Sequence, residues 1–475
     1  MLTSGRIGYE IGGNIEATCF GGIAAVHRLV TRLGLPGQLD DRLELLKVHL
    51  PYHESDHVLN LAYNVMCGGT RLEDIERLRH DTAYMTALGA DLIPDPTTAG
   101  DFCRRFAESD VVELMEAINA VRPALWTGRG RDLLGPITYL DVDGTIVGTT
   151  GCRKAGMDMS YKGIWGYAPL VVSLANTKEV LYLVNRPGNA PSHAGAAIWI
   201  DKAIGLVAPH ADRVCLRGDT DFSLTGHFDR WAETVDFVFG MDNNTALRSR
   251  AEALAEDAWQ RLERPLGAEK EEEVAGVTRA RRVDVKQQIV TERGYLDLRL
   301  NHEDVAEFNY QPGKCGRAYR VVAVRKNISR ARGEQVLIEE IRYFFYITTR
   351  TDLTADQVVA CANDRCDQEN IIGQLKSGVN ALRVPLYDLI SNWAYMVIAA
   401  LAWNIKSWFA MMMHRKTDRR DHIRMEFRRF LTGIILVPAM IIHRARSITV
   451  RLIGYTASLD RLFSAWTITE RTRFG

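Results

Sequence analysis

Several features that would assign a chain to a particular class of protein are missing here. Lys plus Arg and Asp plus Glu each number 59, so the zero net charge argues neither for nor against a nucleic-acid partner. The eight cysteines form no C-x-x-C pair and do not stand with histidines at zinc spacing, so we expect reduced, mostly buried thiols. Residues 1–13 lack a cationic segment followed by an apolar core, so we expect no signal peptide and a cytoplasmic protein.

A long apolar run that could cross a membrane is also missing. The strongest candidate, from Leu386 to Met413, is interrupted by Asp388, Asn392, Asn404 and Lys406. Such polar groups are costly in a bilayer, so we predict a buried amphipathic helix and no membrane partner.

The pattern of the 475 residues predicts a mixed α/β protein of two to four domains. Helices are predicted up to about residue 130, with Ser55 capping one and Thr98 to Asp101 forming a capping box for another. Strands then alternate with helices to Asn243, and Thr354 begins a further helix. The predicted strands are 137–140, 170–174, 180–184, 213–216, 236–239, 283–290, 296–300, 319–324 and 341–348; residues 246–274 are predicted to be helical.

Two aspartates end the first predicted strand of the mixed region, in the segment Leu-Asp-Val-Asp-Gly-Thr. The alternation of side chains along a strand puts Asp141 and Asp143 on one face, roughly 6–7 Å apart. Two such charges repel unless a cation or a proton separates them. The segment therefore indicates a metal or phosphoryl site at the end of a strand.

Two further groups of residues fit the same chemistry. Asp219 follows the predicted strand 213–216, although a charged loop explains Arg-Gly-Asp-Thr-Asp equally well. If residues 365–376 form a helix, the rotation about its axis puts Arg365 at about 0°, Glu369 at about 40° and Lys376 at about 20°. The three side chains then lie along one narrow face of the helix. An acid between two cations suits a metal ligand beside phosphate-binding groups, whereas a surface ion pair is the simpler alternative. Three such carboxylates can hold two Mg²⁺ or Mn²⁺ ions about 3.5–4 Å apart.

The first segment on its own resembles motif one of the haloacid-dehalogenase phosphatases. That resemblance implies that Asp141 is the nucleophile and Asp143 the acid. Gly218-Asp219 resembles the late acidic motif of that family, but Ser223 stands where its last aspartate is expected. About 250 further residues follow, with no role for Glu369 in such a fold.

From about residue 135 to residue 400, the chain resembles the DDE transposases of bacterial insertion sequences, and within them the 1380-type branch. The last motif of the hairpin-forming members reads Y-x2-R-x3-E-x6-K, and Arg365, Glu369 and Lys376 match its spacing, with Ala362 in place of the tyrosine. Asp143-Gly-Thr145 matches the first motif and Arg217-Gly-Asp219 the second. The 150 positions between Asp219 and Glu369 leave room for the β-rich insertion of that branch.

The transposase resemblance implies a ribonuclease-H-like core that cleaves transposon ends and joins them to target DNA. It implies that Asp143, Asp219 and Glu369 are catalytic and hold two Mg²⁺ ions, or Mn²⁺, and that Arg365 and Lys376 contact DNA. Tyr161 and Lys162 are further DNA candidates. The basic stretch 414–429 is another, and a solvated charged surface explains it equally well. A homodimer on DNA and association with the nucleoid are expected, and a non-catalytic DNA-binding relative is the remaining alternative. The implied domains are a helical DNA-binding domain (1–130), the core in two parts (131–243 and 341–412), the β-rich insertion (244–340) and a basic C-terminal region (413–475).

Overall fold

The structure is a computed structural model that describes residues 9, 15–151, 153–262, 297–332, 335–454 and 456–474. Contacts within the chain divide it into two compact units. The first unit holds Met1–Pro136, Gly144–Pro191 and Asn370–Gly475, and the second holds Ile137–Asp143 and Ser192–Glu369. The predicted strand 283–290 lies outside the described residues.

The helices of the described residues are numbered in chain order. They are α1 (Ile23–Arg32), α2 (Leu35–Arg42), α3 (Glu54–Met66), α4 (Ile75–Arg79), α5 (Thr82–Leu88), α6 (Pro96–Cys103), α7 (Glu108–Ala120), α8 (Arg122–Thr127), α9 (Arg131–Leu134), α10 (Ala196–Val207), α11 (Phe228–Trp231), α12 (Thr245–Glu252), α13 (Ala355–Asn363), α14 (Cys366–Ser377), α15 (Leu389–Met411), α16 (Lys416–Arg424), α17 (Phe427–Phe430) and α18 (Ala457–Arg471).

The strands are numbered in the same way. They are β1 (Ala17–Thr18), β2 (Thr138–Gly144), β3 (Val147–Gly148), β4 (Asp158–Met159), β5 (Trp165–Tyr167), β6 (Leu170–Leu174), β7 (Glu179–Val184), β8 (Val214–Gly218), β9 (Asp236–Met241), β10 (Gln260–Arg261), β11 (Asp297–Tyr310), β12 (Tyr319–Arg332), β13 (Gln335–Thr348), β14 (Ala439–Arg444) and β15 (Ser447–Leu452). The predicted mixed α/β class is confirmed.

Two predicted helix starts in the first unit are wrong. Helix α6 begins at Pro96, and Asp95 is its N-cap: it accepts hydrogen bonds from the Thr98 amide (2.9 Å) and hydroxyl (2.8 Å). Proline at the first helical position fits this cap, because its missing amide has no partner there anyway. Helix α3 begins one residue before Ser55, whose amide and hydroxyl instead bind the carboxylate of Asp40 at 2.8 and 2.9 Å.

Helix α15 runs through the interior of the first unit, and almost every one of its side chains is buried. Two of its buried polar side chains bond backbone groups. The amide of Asn404 bonds both the N–H and the C=O of Val180 on β7, at 2.8 and 3.0 Å. The Lys406 ammonium donates to the carbonyls of Ile423 and Met425. No helix of the described residues is long and apolar enough to cross a membrane.

A buried charge cluster lies next to α15 in the first unit. Arg122 and Glu179 are fully buried and form an ion pair. Glu179 also accepts hydrogen bonds from the indoles of Trp126 (2.8 Å) and Trp408 (2.7 Å) and from the Thr177 hydroxyl (2.5 Å). A buried carboxylate is tolerated only when its oxygens are bonded in this way. The cluster therefore joins α8, α15 and the start of β7.

The second unit is built on a mixed sheet with the strand order β10-β11-β12-β13-β9-β8-β2. Strands β2, β8 and β9 are parallel neighbours, and the remaining pairs are antiparallel. Strand β13 continues the long β11 and β12 and then pairs with β9, with Phe345 opposite Met241 and Thr348 opposite Val238. A single strand thus connects the β-rich segment to the parallel strands.

The predicted helix over residues 246–274 is wrong between residues 253 and 262, and residues 263–274 lie outside the described residues. Helix α12 ends at Glu252, and Gln260 and Arg261 form strand β10. Side-chain contacts with β12 explain the change: Arg325 bonds Glu256 at 2.6 Å and its guanidinium lies 4.5 Å from the centre of the Trp259 ring. These tertiary contacts outweigh the helix propensity of the alanine- and glutamate-rich sequence.

Candidate active site

The two predicted catalytic aspartates follow neighbouring strands of the second unit. Strands β2 and β8 are parallel, and Asp141 is the register partner of Arg217. Asp143 and Asp219 each stand two residues further along. Continuing the register puts them side by side where the two strands end. Ligand sites in open α/β sheets form at such carboxyl ends of parallel strands.

Asp141 is held away from solvent by an arginine on the adjacent strand. Its two carboxylate oxygens accept hydrogen bonds from Nε and Nη2 of Arg217 at 2.7 and 2.8 Å, and Asp141 is fully buried. Arg217 also donates to the carbonyl of Cys361 on α13 at 3.2 Å and lies 4.4 Å from the centre of the Tyr139 ring. Burial by itself lowers the pKa of Arg217, but the charge and hydrogen bonds of Asp141 outweigh burial and raise it.

This pairing bears on the phosphatase alternative. A nucleophilic carboxylate needs an oxygen that can reach the substrate. Both oxygens of Asp141 are instead occupied by a buried, bidentate guanidinium. The geometry gives Asp141 a structural part: it fixes β2 to β8 and, through Arg217, to α13.

Arg365 is the cation that faces both aspartates at the strand ends. Its Nη1 donates to Oδ2 of Asp143 at 3.1 Å, and both side chains are partly buried. The prediction put Arg365 inside a helix, whereas the structure ends α13 at Asn363 and begins α14 at Cys366. The residue lies in the connection between these helices. That position is close enough to Asp219 for its charge to lower the pKa of the carboxyl group there.

Asp219 caps the short helical turn Thr220–Phe222, where its Oδ1 accepts the amide of Asp221 at 3.0 Å. Burial raises the pKa of Asp219; the charge of Arg365 opposes this shift, and that of Asp221 adds to it. The net shift is upward because the effect of burial outweighs that of the Arg365 charge. A cation bound here would favour the charged form of this carboxyl group.

Glu369 and Lys376 lie on α14 as predicted. Both are exposed, Glu369 in the first turn of the helix and Lys376 in the last, while the neighbouring Gln368 is fully buried. Among the residues that the structure describes, no three His, Cys, Asp or Glu side chains are grouped closely enough to hold a metal ion. The described geometry thus brings Asp143 and Asp219 together but does not gather Glu369 with them.

The residue types at this edge fit a hard divalent cation. Asp143, Asp219 and Glu369 offer carboxylate oxygens, the ligands that Mg²⁺ and Mn²⁺ prefer. Asp143 and Asp219 also stand at equivalent places at the ends of the parallel strands β2 and β8. Two of the three predicted ligands therefore fit by position as well as by chemistry, and the third by chemistry alone.

Tyr161 and Lys162 occupy a tight turn in the first unit, between β4 and β5. The Gly163 amide donates to the Ser160 carbonyl at 2.9 Å, which closes the turn. Tyr161 is 83% exposed, and the Lys162 ammonium lies 5.3 Å from the centre of its ring. An exposed aromatic ring beside a cation is a suitable contact for nucleic acid.

The sequence interpretation missed the part played by Arg217. It treated Arg217 only as the first letter of the Arg-Gly-Asp motif. The available signal was a buried aspartate on one predicted parallel strand and an arginine at the equivalent place on the next, each two residues before a candidate ligand. Buried charges require a partner, so the pairing follows once the two strands are taken as neighbours.

Comparisons with known proteins assign the chain to a family. No curated protein matches. A solved structure of the piggyBac transposase synaptic complex with hairpin DNA is similar, at 10% identity and a TM-score of 0.38, over 86% of this chain and 81% of that chain. The family described as transposase DDE domain group 1 matches residues 9–473, nearly the whole sequence. The chain therefore belongs to the transposase DDE domain group 1 family.

Proposed function

We propose that the chain is the transposase of a bacterial insertion sequence, of the 1380 type, which cleaves the terminal inverted repeats and transfers the ends into target DNA. The observation that carries the proposal is the pair Asp143 and Asp219 at adjacent parallel strand ends, in a chain that belongs to the DDE transposase family. Arg365 bonds Asp143, and its charge lowers the pKa of Asp219. A ribonuclease-H-like core, interrupted by the β-rich segment, is the fold that this function implies. The domain bounds 1–130, 131–243, 244–340, 341–412 and 413–475 belong to the same proposal.

The proposed catalytic and metal-binding residues are Asp143, Asp219 and Glu369. Two Mg²⁺ ions, which Mn²⁺ can replace, supply stabilisation of the attacking and leaving oxygens of a phosphodiester. Asp143 and Asp219 would hold these ions in place from the ends of two strands of the sheet. Glu369, in the first turn of α14, would supply the third carboxylate of the ligand set.

The proposed DNA contacts are Arg365, Lys376, Tyr161 and Lys162. Arg365 uses one nitrogen for Asp143, and its planar fork has further N–H groups suited to a phosphate. Lys376 provides a point charge about two helical turns beyond Glu369, roughly on the same face of α14. These contacts position the DNA backbone and carry no sequence information of their own. The reaction acts on two ends, so a homodimer on DNA in the nucleoid is part of the proposal.

The experiment is a cleavage assay on linear DNA that carries the terminal repeats of the element, with Mg²⁺. Asp143→Asn, Asp219→Asn and Glu369→Gln should each abolish cleavage while DNA binding persists. The matched controls are Asp221→Asn and Asp367→Asn, two carboxylates close in sequence to the proposed ligands. Normal cleavage by Glu369→Gln would overturn the transposase assignment of the triad. Binding without cleavage by the unmodified protein, with either metal, would indicate a non-catalytic relative.

A further inference from the structure

A groove of about 810 Å³ lies in the first unit, outside the proposed catalytic residues. Helix α1 forms one side, helix α18 another, and strand β15 a third. Its volume falls within the range of ligand-binding clefts, about 300–1,000 Å³. Neither the strand-end aspartates nor the proposed DNA contacts belong to its lining, so the function proposed above leaves it unexplained.

The groove offers aromatic rings to solvent. Phe463 and Trp466 stand three residues apart on α18, so they share a face of that helix, and they are 52% and 38% exposed. Ala24 and Ala25 on α1 line the same groove and carry only a methyl group each. Large rings and small residues in one lining make a slot in which a flat group can lie.

Arginines border the same slot. Arg28 on α1 bonds Glu470 on α18 through Nε at 2.7 Å, so its guanidinium plane is held between the two helices. Arg446, in the turn between β14 and β15, is exposed and lines the groove, and the described residues supply it with no carboxylate partner. Arg444 and Arg451 on the same strand pair are exposed as well.

His27, the one histidine of the lining, is held neutral. His27 shares Nδ1 with the hydroxyl of Tyr63 at 3.0 Å and meets the Tyr63 ring edge-on. Burial lowers the pKa of His27, so it adds no charge near pH 7. The charged side chains of the lining are therefore two arginines, Arg28 and Arg446, and one glutamate, Glu470, so the lining is net positive. Arg444 and Arg451 add positive charge nearby.

We infer that this groove binds unpaired DNA, with bases stacked on Phe463 and Trp466 and the backbone phosphates held by Arg446. Exposed aromatic rings beside arginines are how proteins bind single strands without reading their sequence. The inference rests on the proposed function only in taking DNA as the nucleic acid.

Charge decides between DNA and a second copy of the chain. Strand β15 pairs only with β14 among the described residues, so it could also add a strand from another molecule. A two-fold contact through β15 would bring Arg446 and Arg451 of one copy near the corresponding arginine-bearing edge of the second copy. Like charges oppose that contact, whereas a phosphate backbone neutralises them.

The test is fluorescence anisotropy of a labelled twelve-nucleotide oligothymidine with the full chain at several salt concentrations. Trp466→Ala and Phe463→Ala should each weaken binding about tenfold, and Trp466→Phe should retain most of it. Arg446→Ala should reduce the salt slope by about 0.7, the release of one counterion from a single strand. Tyr387→Ala, which removes an exposed aromatic ring elsewhere in the first unit, is the matched control and should bind normally.

Three results would overturn the inference: no oligothymidine binding by the unmodified protein, equal binding by the groove variants and Tyr387→Ala, or a dimer that Trp466→Ala dissociates in sedimentation while oligothymidine affinity stays unchanged. The last result would identify an interface between copies. Glu369→Gln separates this question from the proposed function. It should lose cleavage and keep oligothymidine binding, so either proposal can fail without the other.

Discussion

At the scale of single residues, the Asp141–Arg217 pair connects the parallel strands below the candidate active site. Breaking a buried ion pair from one side leaves an uncompensated charge. We expect Asp141→Asn to lower the free energy of unfolding by about 3–5 kcal/mol, as measured by thermal and urea unfolding. The exposed control Asp221→Asn should change it by less than about 0.5 kcal/mol. A stable Asp141→Asn protein that had lost only its activity would instead give Asp141 a chemical role.

A second prediction at this scale concerns His57 in α3. Its ring is buried and stacks on Phe102 with centroids 4.5 Å apart, and burial lowers the pKa of His57 from 6.5 to about 4. The unfolded chain therefore binds a proton at a higher pH than the folded chain does. Stability should be lost as the pH falls from about 6.5 to about 4, by at most roughly 3 kcal/mol from this residue.

Thermal melts between pH 7 and pH 4.5 check the His57 prediction. His57→Phe should flatten the acid side of the stability profile. The matched control is His80→Phe, because His80 is 77% exposed and should leave the acid side unchanged. Identical profiles for the unmodified protein and His57→Phe would show that burial of this imidazole does not contribute to acid sensitivity.

At the scale of elements, α13 supports the site because its Cys361 carbonyl accepts a hydrogen bond from Arg217. The helix begins with Thr354 as N-cap: its hydroxyl accepts the Gln357 amide at 3.3 Å, and the Gln357 side chain accepts the Thr354 amide at 3.0 Å. Thr354→Ala should cost about 1 kcal/mol, while Thr354→Ser should retain most of the stability. Hydrogen exchange of residues 355–361 should speed up in the first variant only; equal exchange in both would contradict this capping effect.

Local sequence patterns predicted many elements of the described residues. The capping box at Thr354 and the strands at 170–174 and 236–239 were readable because their signals are local: a cap spacing, or a short apolar run between turns. The start of α6 and the end of α12 could not be predicted from the sequence. Asp95 competed with a plausible box at Thr98, and the contacts of Arg325 with Glu256 and Trp259 come from a strand more than sixty residues away.

The same distinction applies to the candidate site. The spacing of Arg365, Glu369 and Lys376 picked out α14, but helical geometry alone could not show that Arg365 lies before the helix and turns toward Asp143. The pairing of Asp141 with Arg217 needed the order of strands in the sheet, which a single sequence does not specify. Catalytic roles for Asp143, Asp219 and Glu369 stay predictions.

At the scale of the whole molecule, zero net charge conceals a local excess of arginine. Arg415, Arg420, Arg424, Arg428 and Arg429 are exposed around α16 and α17, while Arg419 is buried and bonded to Asp132. If these exposed groups contact phosphates, duplex affinity should fall steeply between 50 and 200 mM salt, by about tenfold or more for several contacts. Replacing Arg420, Arg424 and Arg428 together by Ala should flatten that dependence in an electrophoretic or anisotropy titration. An unchanged salt slope in the triple variant would remove this surface from the DNA-binding account.

The central claim is that Asp143, Asp219 and Glu369 act together although only the two aspartates lie at adjacent strand ends in the structure. The most direct measurement is cleavage of terminal-repeat DNA with Mg²⁺ by Glu369→Gln beside its neighbour control Asp367→Asn. The account predicts that Glu369→Gln binds the DNA but leaves it uncut, and that Asp367→Asn cuts it normally. Cleavage by Glu369→Gln at the rate of the unmodified protein would contradict the account.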